Sequence, residues 1–278
     1  MKISSLSRSF AGLCLSILLL GAVSTLSADV LVVLGSDYFH TLPSTTFDGV
    51  NFKGVPINPS QLGGTDTIVQ RNQDAAVAPA LGVAGTAPPI NITLQTLQLE
   101  STAPTNAFGP LDNYFITLQT ARTVAQGGPG PASTGQMTIS MNSTDTGGTF
   151  SSFFDVFFDI HQGSLTGNIV GSGDLVLSNS GASWSTTPIP GSVIVKGTDE
   201  DPIPDAQDQA ANLHTNLTAT EFDFFPGMVT EMHPNGARHI VSPVPEPSYF
   251  VLLSGLIGGI GLLAKKRRRI SAELPVRD

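Results

Sequence analysis

Cysteine is all but missing. The single one, Cys14, lies in an apolar stretch near the N-terminus. The rest of the chain therefore has no disulfide, no thiolate nucleophile and no cysteine-ligated metal. Charge is scarce as well, at 13% of 278 residues with a net −9. Between positions 29 and 244 only five basic residues stand against nineteen acidic ones, a local charge of −14. Such a surface repels phosphate backbones, which excludes nucleic acid as a partner. That region also lacks a Gly-x-Ser-x-Gly elbow, a His-Glu-x-x-His helix and a phosphate loop. No cofactor is expected. Sustained 3.6-residue periodicity is absent outside the two ends, with 206–217 a marginal exception, so a helical bundle is excluded too.

What is present begins with the ends. Lys2 and Arg8 precede an apolar run over 10–23, and small residues lead to Ala28 before the first acidic residue, Asp29. A basic start, a short insertable helix and a small residue at the cut are what a signal peptidase needs. Residues 1–28 are expected to be a signal peptide cleaved after Ala28. At the other end, Val244-Pro245-Glu246-Pro247 is followed by an uncharged stretch over 248–264 and then by Lys265, Lys266, Arg267, Arg268 and Arg269. Seventeen helical residues span roughly 25 Å, a little short of a ~30 Å hydrocarbon core but workable with thinning or snorkelling. The basic cluster resists translocation and would hold the membrane helix from the cytoplasmic side. Pro245 and Pro247 keep the junction extended, a shape that a processing enzyme can bind.

Together, Val-Pro-Glu-Pro-Ser, the Gly/Leu-rich apolar segment and the basic cluster resemble the PEP-CTERM sorting tail of Gram-negative bacteria. The resemblance covers about the last thirty residues. It implies recognition by an exosortase, a membrane protease thought to cut near Pro245-Glu246-Pro247 and release or transfer the exported part. Tyr249 stands where many such tails carry a small polar residue, and 270–278 form a short cytoplasmic extension beyond the basic cluster.

The region 29–244 reads as an exported β domain. Phe154, Val156, Phe158 and Ile160 alternate with Phe153, Asp155, Phe157, Asp159 and His161. Ile90, Ile92 and Leu94 share one phase, and Leu97 and Leu99 take the other, which predicts a bulge near Gln95-Thr96. Ile92-Thr-Leu-Gln-Thr96 recurs from Ile116 to Thr120, which suggests two adjacent strands of similar character. Short strands are also expected at 30–34, 67–71, 174–177, 193–195 and 222–225, with Gly/Pro/Asn/Ser-rich spacers between runs. The expected fold is all-β, an antiparallel β-sandwich or jelly roll, flanked by a signal helix and a transmembrane helix.

Four groups could carry chemistry. Asp145-Thr146-Gly147 matches the aspartic-protease tripeptide, but a single copy between two strands reads as a turn. Asp159 and His161 would share a strand face, and His233 and His239 flank Pro234-Asn235-Gly236, so a zinc site could form if these segments met. Asp199, Glu200, Asp201, Asp205 and Asp208 cluster around two prolines. The EF-hand spacing fails there, which makes a solvated loop the default and Asp199, Asp201 and Asp205 the residues a hard cation would use. Trp184 and Tyr38 could present aromatic rings to polysaccharide.

These readings converge on a non-enzymatic, exported cell-surface or extracellular-matrix protein, associated with exopolysaccharide and delivered through the Pro-Glu-Pro tail. Its partners would be signal peptidase, an exosortase-like protease, the membrane before processing, and exopolysaccharide. The alternative is a secreted carbohydrate-binding module, and a more distant one is a metal-dependent hydrolase.

Overall fold

The computed structural model describes residues 28–57, 64–189, 217 and 219–243. Among these lie sixteen strands: β1 (Val30–Val32), β2 (Gly35–Thr41), β3 (Thr45–Phe47), β4 (Val50–Gly54), β5 (Thr67–Arg71), β6 (Ala75–Ala78), β7 (Gly85–Thr86), β8 (Ile90–Ser101), β9 (Tyr114–Leu118), β10 (Ser133–Met141), β11 (Gly147–Gln162), β12 (Ile169–Ser185), β13 (Glu221–Phe222), β14 (Phe225–Pro226), β15 (Val229–Met232) and β16 (Arg238–Pro243). The helical segments described are the 3-10 turns Gln119–Ala121 and Val124–Gln126. The signal segment, the Pro-Glu-Pro motif, the apolar span, the basic cluster and the acidic run with Asp199, Asp201 and Asp205 lie outside the described residues.

The all-β expectation is met, with one difference in how the sheet ends. Eight strands pair in a closed antiparallel ring, β12-β15-β16-β2-β5-β8-β9-β11, which returns to β12. A sandwich would leave sheet edges free. Here β15 meets β12 at Ser178↔Met232 and the wall closes, which removes the unpaired edges. Long strands serve two neighbours in turn. The first half of β8 pairs with β10 and its last part with β9, and β11 does the same from the other side. The β3–β4 hairpin bridges β16 and β8. A small outer sheet, β13-β1-β6, includes a parallel β1–β13 pair.

Local sequence accounts for these elements. On β11 the residues Phe150, Phe154, Val156, Phe158 and Ile160 are buried inside the barrel, each such side chain contributing about 1.5–3 kcal/mol. The phase slip on β8 is present. Ile90, Ile92 and Leu94 are buried, then Leu97 and Leu99, and the register with β5 jumps between Ile68↔Thr96 and Val69↔Leu94. The two copies of Ile-Thr-Leu-Gln-Thr do start on adjacent strands, β8 and β9. Asp48 and Gly49 both have positive φ, at 47° and 77°, the two-residue turn that matches strand twist in a tight hairpin. On β12, Gly171 and Gly173 lie opposite Ile160 and Phe158. A Cβ on Gly173 would stand 3.0 Å from the Phe158 ring, so glycine makes room for the aromatic core.

Candidate functional site

Two cavities among the described residues measure about 50 Å³, lined by residues such as Phe47, Leu99, Ile116 and Phe158, and about 20 Å³, beside Asp37, Phe154 and His239. A small-molecule site needs roughly 300 Å³ or more. One end is plugged by Trp184 stacked on Phe224 at 5.2 Å, with Phe150 edge-on to the same ring. The Arg71 guanidinium lies 4.8 Å from the Phe224 centroid on another side and pairs with Asp37, both side chains being 1% exposed.

Between the apolar ends runs a buried polar chain. Asp66 accepts the Thr41 amide at 2.7 Å and the hydroxyls of Thr41 and Thr67 at 2.6 and 2.7 Å. Burial raises the Asp66 carboxyl above its ordinary value, and those hydrogen bonds offset part of the rise. Thr41 Oγ1 also lies 3.1 Å from His239 Nε2, and His239 Nδ1 lies 3.0 Å from Glu231. The chain ties Asp66 and Thr67, at the start of β5, to β2, β16 and β15 through side chains inside the barrel.

On the outer wall, Asp159 and His161 do share a face, as the alternation predicts, but they form no metal pair. Arg122 takes both Asp159 oxygens at 2.6 Å, and Ser172 adds a third bond at 2.6 Å. Burial alone would raise the Asp159 carboxyl. Arg122 and Ser172 reverse that and hold it below the usual carboxylate range. His161 faces elsewhere, donating from Nδ1 to the Gly167 carbonyl at 3.0 Å and meeting Thr117 Oγ1 through Nε2 at 2.9 Å. Thr117 and His161 are buried, and neither lines either of those two cavities. Among the described residues no group of three His, Cys, Asp or Glu side chains could hold a metal ion.

The remaining candidates resolve individually. Asp145-Thr146-Gly147 is a turn. Asp145 has φ 57°, and its carboxylate accepts the Gly82 amide at 2.8 Å. His233 and His239 do not face each other, because the β15–β16 register sets His239 opposite Glu231. Trp184 and Tyr38 are 3% and 8% exposed, so neither offers a ring to polysaccharide. Trp184 instead donates its indole N–H to the Ser140 carbonyl at 3.0 Å. Tyr38 is pushed up to about 12 by burial and by the neighbouring Asp37 charge. Ala28 and Asp29 are exposed and Val30 is buried as β1 begins, so a cut after Ala28 would leave the first strand whole.

Sequence reasoning missed a feature of the outer wall. Across β8, β10 and β11 the outward residues fall into register rows. Asn91, Gln136 and Phe153 stand side by side, followed by Thr93, Thr134 and Asp155. Asn72 extends the first row and donates to Thr93 at 2.9 Å. Asn72, Asn91, Gln136, Phe153, Thr134 and Asp155 border an open groove of about 550 Å³. Phe153 is 43% exposed, and Gly135, between the outward Thr134 and Gln136, lies close against the β11 backbone. A Cβ there would overlap the Phe153 carbonyl. The alternating pattern marked these positions only as solvent-facing. No family model, curated protein or solved structure matches the chain.

Proposed function

We propose that the chain is an exported bacterial cell-surface or extracellular-matrix protein, non-enzymatic, associated with exopolysaccharide and delivered through its C-terminal tail. One observation carries this reading. Pro245-Glu246-Pro247, an uncharged stretch long enough to insert, and five consecutive basic residues follow one another at the end of the exported region. The three parts act differently, as an extended substrate, a membrane helix and a charge barrier to translocation. In the same reading the apolar run over 10–23 is a signal helix and 248–264 a transmembrane helix. The test is mass spectrometry of the mature protein from a host with an active exosortase. The expected C-terminus lies near 244–247. Intact peptides covering 270–278 in surface-extracted protein would leave a plain membrane anchor instead.

A further inference from the structure

We propose that the groove on the outer wall of β8, β10 and β11 binds a neutral polysaccharide chain. Its lining has the chemistry of a polyol site. Asn91 and Gln136 each offer an amide that both donates and accepts, Thr134 adds a hydroxyl, and Asp155 a carboxylate acceptor. A sugar hydroxyl is likewise donor and acceptor at once, so amides in a row suit it in either orientation. None of these four side chains spends a hydrogen bond on another described residue, which leaves that capacity facing the groove. Phe153 supplies the apolar surface. The π-face of an aromatic ring is electron-rich, and the C–H face of a pyranose is the complementary surface. The ring is 43% exposed, so its face is open to such a contact.

Charge narrows the ligand further. No basic side chain lines the groove, Asp155 is anionic, and the surrounding domain carries −14. A uronate, sulfated or phosphorylated chain would meet repulsion without a counter-charge, whereas a neutral chain would not. The shape fits a chain better than a single ring. The two rows cross three adjacent strands about 4.8 Å apart, and positions two apart along a strand repeat at about 6.7 Å, so the platform is open and extended. The volume of about 550 Å³ exceeds the interior cavities by an order of magnitude. Trp184 and Tyr38, the aromatic residues expected to meet polysaccharide, are both buried. The structure transfers that role to Phe153.

The proposal rests on the reading that the exported domain meets glycan. It is independent of tail cleavage, so the two can fail separately. The test is affinity electrophoresis of the full chain in a polyoxyethylene detergent, whose headgroup is not a sugar. The gels contain dextran, galactomannan or hydroxyethyl cellulose as neutral polymers, or alginate as the anionic one. At least one neutral polymer should retard the wild-type protein, and alginate should not. Phe153→Ala and Gln136→Ala should each weaken retardation about tenfold, through loss of a ring contact or of a paired amide. Leu111→Ala, at an exposed loop residue away from the groove, should match the wild type. Melting curves of the variants establish that they are folded, and should Phe153→Ala unfold, Gln136→Ala decides alone. Three results overturn the proposal: no retardation by any neutral polymer, retardation by a neutral polymer that folded Phe153→Ala or Gln136→Ala preserves, or stronger retardation by alginate.

Discussion

Arg122 grips Asp159 through two hydrogen bonds of 2.6 Å, Nε to Oδ2 and Nη2 to Oδ1, across thirty-seven positions of sequence. The carboxylate is fully buried, whereas the guanidinium side chain is 22% exposed. The contact ties the loop after β9 to the outer face of β11 and occupies the carboxylate that a metal would have needed.

Arg122→Ala should therefore destabilise the domain by about 3 kcal/mol, because it leaves a buried carboxylate without its counter-charge. The pH dependence follows from the lowered Asp159 value. This contribution is fully present above the unfolded value of about 3.9 and is lost as pH falls through the folded one. Urea unfolding between pH 2 and pH 7 would show a steeper acid loss in the wild type than in the variant. Equal slopes would mean that the pair does not set the Asp159 titration.

Thr41→Val tests the buried chain inside the barrel. It removes a donor from Asp66 and the partner of His239 Nε2, at a cost of about 1–3 kcal/mol. Thr41→Ser should recover most of that. Asp66 has the opposite pH sign to Asp159, because its folded value is raised. Its stabilising contribution is present below about 3.9 and is lost as pH rises through the folded value. Thr41→Val should widen that loss, since the hydroxyl is one of the groups holding the carboxyl down. A variant as stable as the wild type at pH 7 would show that the chain is not a structural element.

Gly135→Ala should cost about 1–3 kcal/mol or more, the usual range for overpacking. The added Cβ would run into the Phe153 carbonyl, so the β10–β11 register must give way. Chemical denaturation would measure it. A loss below about 0.5 kcal/mol, the level of an ordinary surface change, would mean that the two strands are less closely apposed than described.

Much of this architecture is legible because period-two patterning reports burial directly. The inward side chains of β11 and the phase slip on β8 follow from apolar spacing alone. Closure does not, since it depends on Ser178 meeting Met232, a pair with no apolar signature. The length of β12 was hidden for a different reason. Its glycines and serines resemble turn residues, yet Gly171 and Gly173 are small because Ile160 and Phe158 occupy the space opposite. Arg122 gave no signal either, as its partner is distant in sequence. The aromatic candidates failed because composition cannot tell a plug from a platform. Trp184 closes the barrel end, and Phe153, one of fifteen phenylalanines, faces out.

Millimolar Ca²⁺ should change the melting temperature little. The acidic residues Asp199, Asp201 and Asp205 lack the regular ligand spacing of a tight site. Calorimetry with and without the ion checks this. A rise of more than about 5 °C would require specific binding and would show that the chain holds a calcium site.

Processing is the last expectation, and it separates the three parts of the tail. Glu246→Ala removes one side chain from the proline-flanked peptide and leaves the apolar stretch and all five basic residues in place. The precursor should therefore insert with its usual orientation and accumulate uncut. Replacing Lys265, Lys266, Arg267, Arg268 and Arg269 with glutamine acts earlier. On the proposed reading the positive cluster is what holds the apolar stretch from the cytoplasmic side, so retention should fail before cleavage, and uncut chain should appear outside the inner membrane. A permanent anchor predicts another pattern, because it needs the helix and the charges but not the Pro-Glu-Pro. In that case Glu246→Ala would be indistinguishable from the wild type, with 270–278 still attached in both. Membrane fractionation followed by mass spectrometry of the C-terminus distinguishes these outcomes. Cleavage of the Glu246→Ala chain near 244–247 at the wild-type rate would remove the glutamate from any role in recognition.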